Sequence, residues 1–277
     1  MSTLSNTIDN DIQHPEEWRL SLRIDEKCVS FTAHSDVERD SLLFRKVELD
    51  CGADEFLRPL ENCIYDNPFF LLDFKQVRVA LHSMRYIIVP DDIAADTELA
   101  ERAFVTMYGA ISGNLIIDQL KGCGAAIVFE AESGVLPFLN RTFNNPPVRH
   151  HLSAICEYFA KKCDATDADR QYVYLHDNRA DVVMFKNGRF AFANSFECHS
   201  AADTVFFALD AWNEYELDAL NDELQIAGDK AAREEVVPML KKYVTYVMPV
   251  IFPAAAMKMG QDAMKAPFDL ILMSLCE

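Results

Sequence analysis

The order of elements in this chain occurs twice, and that constrains its fold more than any single motif. In the first half, Leu20, Leu22 and Ile24 alternate with Arg and Ser, and Asp25-Glu26-Lys27 forms a polar turn. Cys28-Val29-Ser30-Phe31 then resumes the period of two, which is the pattern of a β-hairpin. Residues 42–49 read as a third strand, 54–64 as a helix, and 77–81 and 86–89 as short β-rich runs, the latter ended by Pro90. A helix capped by Asp96 runs to Tyr108, with Leu99, Ala103, Val105 and Met107 expected mostly on its inner side. Residues 125–129 predict a buried strand and 135–143 a helix. Asn144-Asn145-Pro146-Pro147 is a break, and 148–162 predicts a helix with Leu152, Ile155, Tyr158 and Phe159 at helical spacing.

The second half follows the same order. Residues 171–175 and 181–185 read as strands on either side of His176-Asp177-Asn178-Arg179. Asn187-Gly188 predicts a hairpin turn, because that pair tolerates the left-handed backbone the turn requires. Residues 190–196 form a third strand, 203–212 a helix, 224–228 a strand and 229–244 a helix interrupted by Pro238. Apolar runs at 246–250 and 268–273 close the chain. Each half is thus three strands, a helix, a strand, a helix and a strand. Two occurrences over 277 residues point to two similar lobes, since a solenoid needs three or more short repeats. The expected division is a flexible tail over 1–15, a first lobe over 16–147, a linking helix over 148–168 and a second lobe over 169–277.

Composition excludes several classes of function. Acids outnumber bases 44 to 26, a net charge of −18, whereas a protein that binds phosphate backbones needs clustered Lys and Arg. Nucleic acid is not an expected partner, and the same charge disfavours anionic membrane surfaces. No run approaches the roughly 20 apolar residues of a membrane span, and the first 17 residues lack the basic and apolar regions of a signal peptide. A cytoplasmic protein is expected. Its eight cysteines then read as reduced core thiols, and neither Cys198-His199 nor His150-His151 has the spacing of a zinc site.

The repeat resembles the duplicated two-lobed α/β fold of the actin, Hsp70 and sugar-kinase superfamily, the actin-like ATPase fold with ribonuclease H-like lobes. More narrowly, Arg19 to Phe31, Tyr172 to Val183 and Asn187 to Phe196 are similar to an uncharacterised bacterial family of unknown function. Its nearest characterised cousins are actin-like proteins of pilus assembly and cell division. The resemblance implies a mixed sheet with helices in each lobe. In ATP-hydrolysing members, a Gly-rich turn after the first strand of each lobe holds the phosphates between the lobes, and an Asp near each turn handles the metal ion. Here the turns carry Asp25 and Lys27, and Asp177, Asn178 and Arg179, without the glycines that such a backbone favours. Where the superfamily rests the base on a Gly-Gly pair, this chain has Gly228-Asp229.

These departures from the superfamily pattern point to a non-catalytic or weakly nucleotide-binding protein that acts through a protein partner and carries no cofactor. Asp25, Lys27, Asp177, Asn178, Arg179, Gly228 and Asp229 mark its vestigial nucleotide site. The alternative is a functional ATPase with divergent phosphate loops, holding ATP with magnesium between Asp25 and Asp177. Each residue also has a structural reading: Asp25 and Asp177 as turn formers, Asp229 as a helix N-cap. Gly122-Cys123-Gly124 lacks the third glycine of a dinucleotide loop and leads into a strand. Ser195, Cys198 and His199 suggest a nucleophile and base, but neighbours on a continuing strand face opposite ways.

Overall fold

The computed structural model describes residues 12–51, 56–163 and 169–275, and within them the repeated order becomes two sheets of one topology. The first half runs β1 (Trp18–Ile24), β2 (Cys28–Ser35), β3 (Leu43–Glu48), α1 (Leu57–Tyr65), β4 (Gln76–Leu81), β5 (Tyr86–Pro90), α2 (Asp91–Ala94), α3 (Thr97–Tyr108), β6 (Asn114–Leu120), β7 (Ala125–Ala131), α4 (Val135–Thr142) and β8 (Val148–His150). The rest is α5 (Ser153–Cys163), β9 (Arg170–His176), β10 (Arg179–Lys186), β11 (Arg189–Glu197), α6 (Ala201–Glu214), β12 (Glu223–Gly228), α7 (Lys230–Leu240), β13 (Tyr246–Pro249) and α8 (Phe268–Leu275).

The sheets have orders β3-β2-β1-β4-β8 and β11-β10-β9-β12-β13. In each, the first three strands are antiparallel and the last two join parallel to the first. A third sheet, β5-β7-β6, is inserted into the first half after β4. The chain divides into two units, one of Met1–Gln119, Ala126–Ser153 and Pro253–Glu277, the other of Leu120–Ala125 and Ala154–Phe252.

One face of the first sheet carries Leu20, Leu22, Val29 and Phe31, all buried, with Phe31 in ring contact with Phe69 and Phe70. The other face carries Ser21, Arg23, Ser30 and Thr32, and it is buried too, because α8 packs across β1 and β2. The segment 253–277, expected in the second lobe, belongs to the first unit. The cause is that polar face: Thr32 Oγ1 pairs with Ser274 Oγ at 2.9 Å and Arg78 Nη1 donates to the Met273 carbonyl at 3.0 Å. The same segment shields the edge of the sheet, where Asp262 accepts the Phe44 N–H at 3.3 Å and Met259 the Leu42 N–H at 2.8 Å.

In the second unit Val173, Leu175, Val182 and Met184 pack with Val205, Trp212 and Val236 in the core beneath α6 and α7. Tyr172 on the opposite face stacks on Phe159 of α5 at 3.7 Å. So α5, which follows the last strand of the first sheet, covers the second sheet, and α8, which follows the last strand of the second, covers the first.

Other expectations shift locally. Residues 148–150 are strand β8, closing the first sheet, so the helix begins only at Ser153; a three-residue strand acquires its identity from pairing with β4. Along α3 the buried residues are Ala100 and Phe104, four apart, while Leu99, Val105 and Met107 are exposed because they lie off that stripe. α6 begins after Ser200, with Asp203 completing its capping box, and α7 runs through Pro238 to Leu240. The expected tail falls largely, and Asp54 and residues 164–168 wholly, outside the described residues. Of the seven described cysteines five are buried, and Cys276 lies outside the described residues. No helix among the described residues is long and apolar enough to cross a membrane.

Candidate functional site

The two turns singled out in the sequence occupy the same place in their sheets, between the first and second strands, but they are built differently. In the first unit the Asp25 N–H donates to the Cys28 carbonyl at 3.0 Å, and the Asp25 carboxylate accepts the Glu26 N–H at 2.7 Å. Asp25 is buried and Lys27 exposed, the Lys27 carbonyl taking the Leu49 N–H at 2.7 Å. Asp25 is a turn former here.

In the second unit Asp177 and Asn178 take φ of 43° and 59°. His176 and Arg179 pair across this two-residue turn. Both central residues are left-handed, as such a turn demands, and Asp and Asn are the side chains that tolerate it best after Gly. The missing glycines therefore do not prevent the left-handed backbone at this position. Beneath the turn, His176 Nε2 lies 2.8 Å from Asp181 Oδ2, its Nδ1 lies 3.6 Å from Asp177 Oδ2, and the ring stacks on Tyr174 at 4.6 Å. The Ser195 hydroxyl donates to the other oxygen of Asp181. The turn thus rests on a buried Ser–Asp–His chain, a network that the period-two pattern of these strands does not reveal.

A cavity of about 330 Å³ opens beside this turn, lined by Asp177, Asn178, Arg179, Cys198, His199 and Asp229 among others. Four of the residues singled out in the sequence meet here: Asp177, Asn178, Arg179 and Asp229. Gly228 adjoins it, while Asp25 and Lys27 belong to the first unit. Cys198 and His199 both face this cavity, contrary to the alternation argument, because β11 ends at Glu197. They do not make a nucleophile and base. Burial pushes the Cys198 thiol up, away from thiolate, and its Sγ sits 3.6 Å from the Phe196 carbonyl.

Gly228 has φ 103°, and a Cβ there would lie 1.9 Å from the Leu175 carbonyl oxygen. The glycine is required by the close approach of its own backbone to β9. Asp229 caps α7, its carboxylate accepting the Ala232 N–H at 2.9 Å, and its N–H donates to the Leu175 carbonyl at 3.0 Å. At α6, Asp203 accepts the N–H groups of His199 and Ser200, both at 2.9 Å. The N–H groups of His199, Ser200, Asp229 and Ala232 are thereby satisfied within the protein. Three carboxylates, Asp177, Asp229 and Glu235, line the cavity beside Arg179. Among the described residues no group of three or more His, Cys, Asp or Glu could hold a metal ion.

With this geometry in hand, the likeness to known proteins is informative. The family described as "Protein of unknown function (DUF3822)" matches residues 6–247. The chain belongs to this family. It is similar to a Bacteroides thetaiotaomicron protein of actin-like ATPase fold and unknown function, with 22% identity, a TM-score of 0.78 and full coverage of both chains. It also resembles a chain of the PilM–PilN type IV pilus biogenesis complex, at 11% identity and a TM-score of 0.56, covering 93% of this chain and 97% of that one. No curated protein matches it. This DUF3822 member therefore has the actin-like fold.

Proposed function

We propose that this DUF3822 protein is a non-hydrolysing member of the actin-like fold, at most a weak nucleotide binder, which acts through contacts with another protein. The observation that carries the reading is at Gly228 and Asp229. The glycine answers a 1.9 Å approach to the Leu175 carbonyl, and the carboxylate beside it caps α7. Both have complete structural explanations without a ligand. The other residues point the same way: three carboxylates around a 330 Å³ cavity disfavour a polyanion. These carboxylates disfavour ATP with magnesium in the cavity. Among the described lining residues Arg179 favours a phosphate, and weak binding is therefore included. That one fold neighbour is a chain of the PilM–PilN type IV pilus biogenesis complex supports action through a partner protein.

Affinity capture of the full chain from native lysate, with and without millimolar Mg-ATP, tests this. The reading expects a stoichiometric partner whose recovery is the same in both. Recovery that follows the nucleotide, or nucleotide co-eluting with the protein, contradicts it.

A further inference from the structure

The first unit contains a cluster of three imidazoles, two of them buried, that the nucleotide question does not touch. His82 follows β4, His150 ends β8, and His151 follows it. The His151 ring lies 4.4 Å from His82 and 4.2 Å from His150, centroid to centroid. His150 also meets Tyr86 of β5 at 4.5 Å and Phe129 of β7 at 5.1 Å. His150 and His151 are only 1% and 2% exposed. These residues stand where the chain leaves the first five-stranded sheet for the inserted sheet, so the rings connect the two.

The hydrogen bonds assign a protonation state. His150 Nε2 lies 3.0 Å from the Ser83 carbonyl, which can only accept, so Nε2 carries a proton. The Leu152 N–H points at Nδ1 at 3.4 Å, so Nδ1 accepts. His150 is therefore the neutral Nε2–H tautomer, and a second proton on Nδ1 would turn an acceptor into a donor facing a donor. It would also put a cation against the face of His151, itself beside His82. Ser83, held by His150, donates in turn to the Glu130 carbonyl at 2.9 Å, and Glu130 N–H reaches the Arg85 carbonyl at 3.0 Å. We propose that the His82–His150–His151 cluster is a pH-sensitive latch, closed when His150 is neutral, that holds the inserted sheet β5-β7-β6 to the first five-stranded sheet.

Two carboxylates lie near the latch, and each is held by other donors. From β6, the Asp118 carboxylate accepts the His150 backbone N–H at 2.9 Å, Arg149 Nε at 2.8 Å and the Ser153 hydroxyl at 2.5 Å. Burial pushes that carboxyl up, so acidification relieves its burial and acts against opening. From β7, Glu130 is engaged by Arg85 Nε at 2.6 Å and by the N–H groups of Ser112 and Gly113. Tyr86, His82 and His151 are titratable neighbours as well.

The test is hydrogen exchange on the full chain at about pH 7.5 and about pH 5.5, corrected for intrinsic rates, with imidazole nitrogen NMR alongside. The latch predicts that protection over residues 83–131 falls by about tenfold or more at the lower pH while β9, β10 and β12 keep theirs. His150→Asn, whose side-chain oxygen keeps an acceptor for Leu152 without titrating, should lose most of that dependence. Unchanged protection, or the same fall in His150→Asn, overturns the proposal. Should that variant not fold, the wild-type NMR decides: His150 must gain its second proton over the range in which protection is lost. A His150 still in the Nε2–H form after protection has gone also overturns it.

Discussion

Arg23 on β1 donates through Nη1 to both carboxylate oxygens of Asp269 on α8, at 3.2 and 3.1 Å, with each side chain about 3% exposed. A buried pair of this kind is costly to break and cheap to replace as a unit, because removing one partner strands a charge. Asp269→Ala should lower unfolding stability by about 3–5 kcal/mol, whereas a joint Arg23→Met and Asp269→Leu change should be near neutral. Urea unfolding of the three chains checks this.

A second expectation concerns chain order. Because the last segment folds into the first unit, a chain ending at Phe252 should lose protection across β1, β2 and β3 while α6, α7 and β9–β12 stay folded. Exchange mass spectrometry would show it. Equal protection in both units of the truncated chain would mean that α8 is dispensable.

These two relationships mark the limit of what the sequence reveals. The order of elements was legible because local patterns carry it: alternation in β1, Asn-Gly between β10 and β11, the break at Pro146-Pro147. What escaped is what depends on long-range pairing. Arg23, Ser21 and Thr32 fall on the polar side of the alternation, yet they are buried, because a helix nearly 250 residues further along supplies Asp269 and Ser274 as partners. β8 is too short to announce itself. At the candidate site the turn aspartates and Gly228-Asp229 could be picked out as residues. Their convergence on one cavity, and the His176–Asp181–Ser195 chain beneath it, depend on strand register and on where β11 stops.

Gly228 offers a direct check of the backbone argument. In Gly228→Ala the new Cβ meets the Leu175 carbonyl oxygen at 1.9 Å at a φ of 103°. Strain of this kind should cost about 2–4 kcal/mol. The loss should appear as a lower denaturant midpoint for the second unit, with or without nucleotide present. A variant as stable as wild type would mean that β9 and β12 do not approach as closely as described.

The acid limb of stability should show Asp36. Its hydrogen bonds to Arg19, with Lys75 beside it, hold the carboxyl down at about 2. A depressed folded value means that its contribution is complete above the unfolded value of about 3.9 and is lost as pH falls through about 2. Asp36→Asn should therefore lower stability by a constant amount at neutral pH and flatten its pH dependence between those limits. A wild-type slope retained in the variant would assign the acid limb to other carboxylates.

The claim that this fold carries no working nucleotide site is tested most directly by thermal unfolding of the full chain with millimolar Mg-ATP, beside a steady-state phosphate-release assay. A ligand at a hundred times its dissociation constant stabilises by about 2.7 kcal/mol, which at this size is a rise of roughly 5–10 °C. The account predicts a shift well below that and no phosphate release above the no-protein rate. A rise of that size, abolished by Asp25→Ala or Asp177→Ala and accompanied by turnover, would contradict it and establish an ATPase with divergent loops.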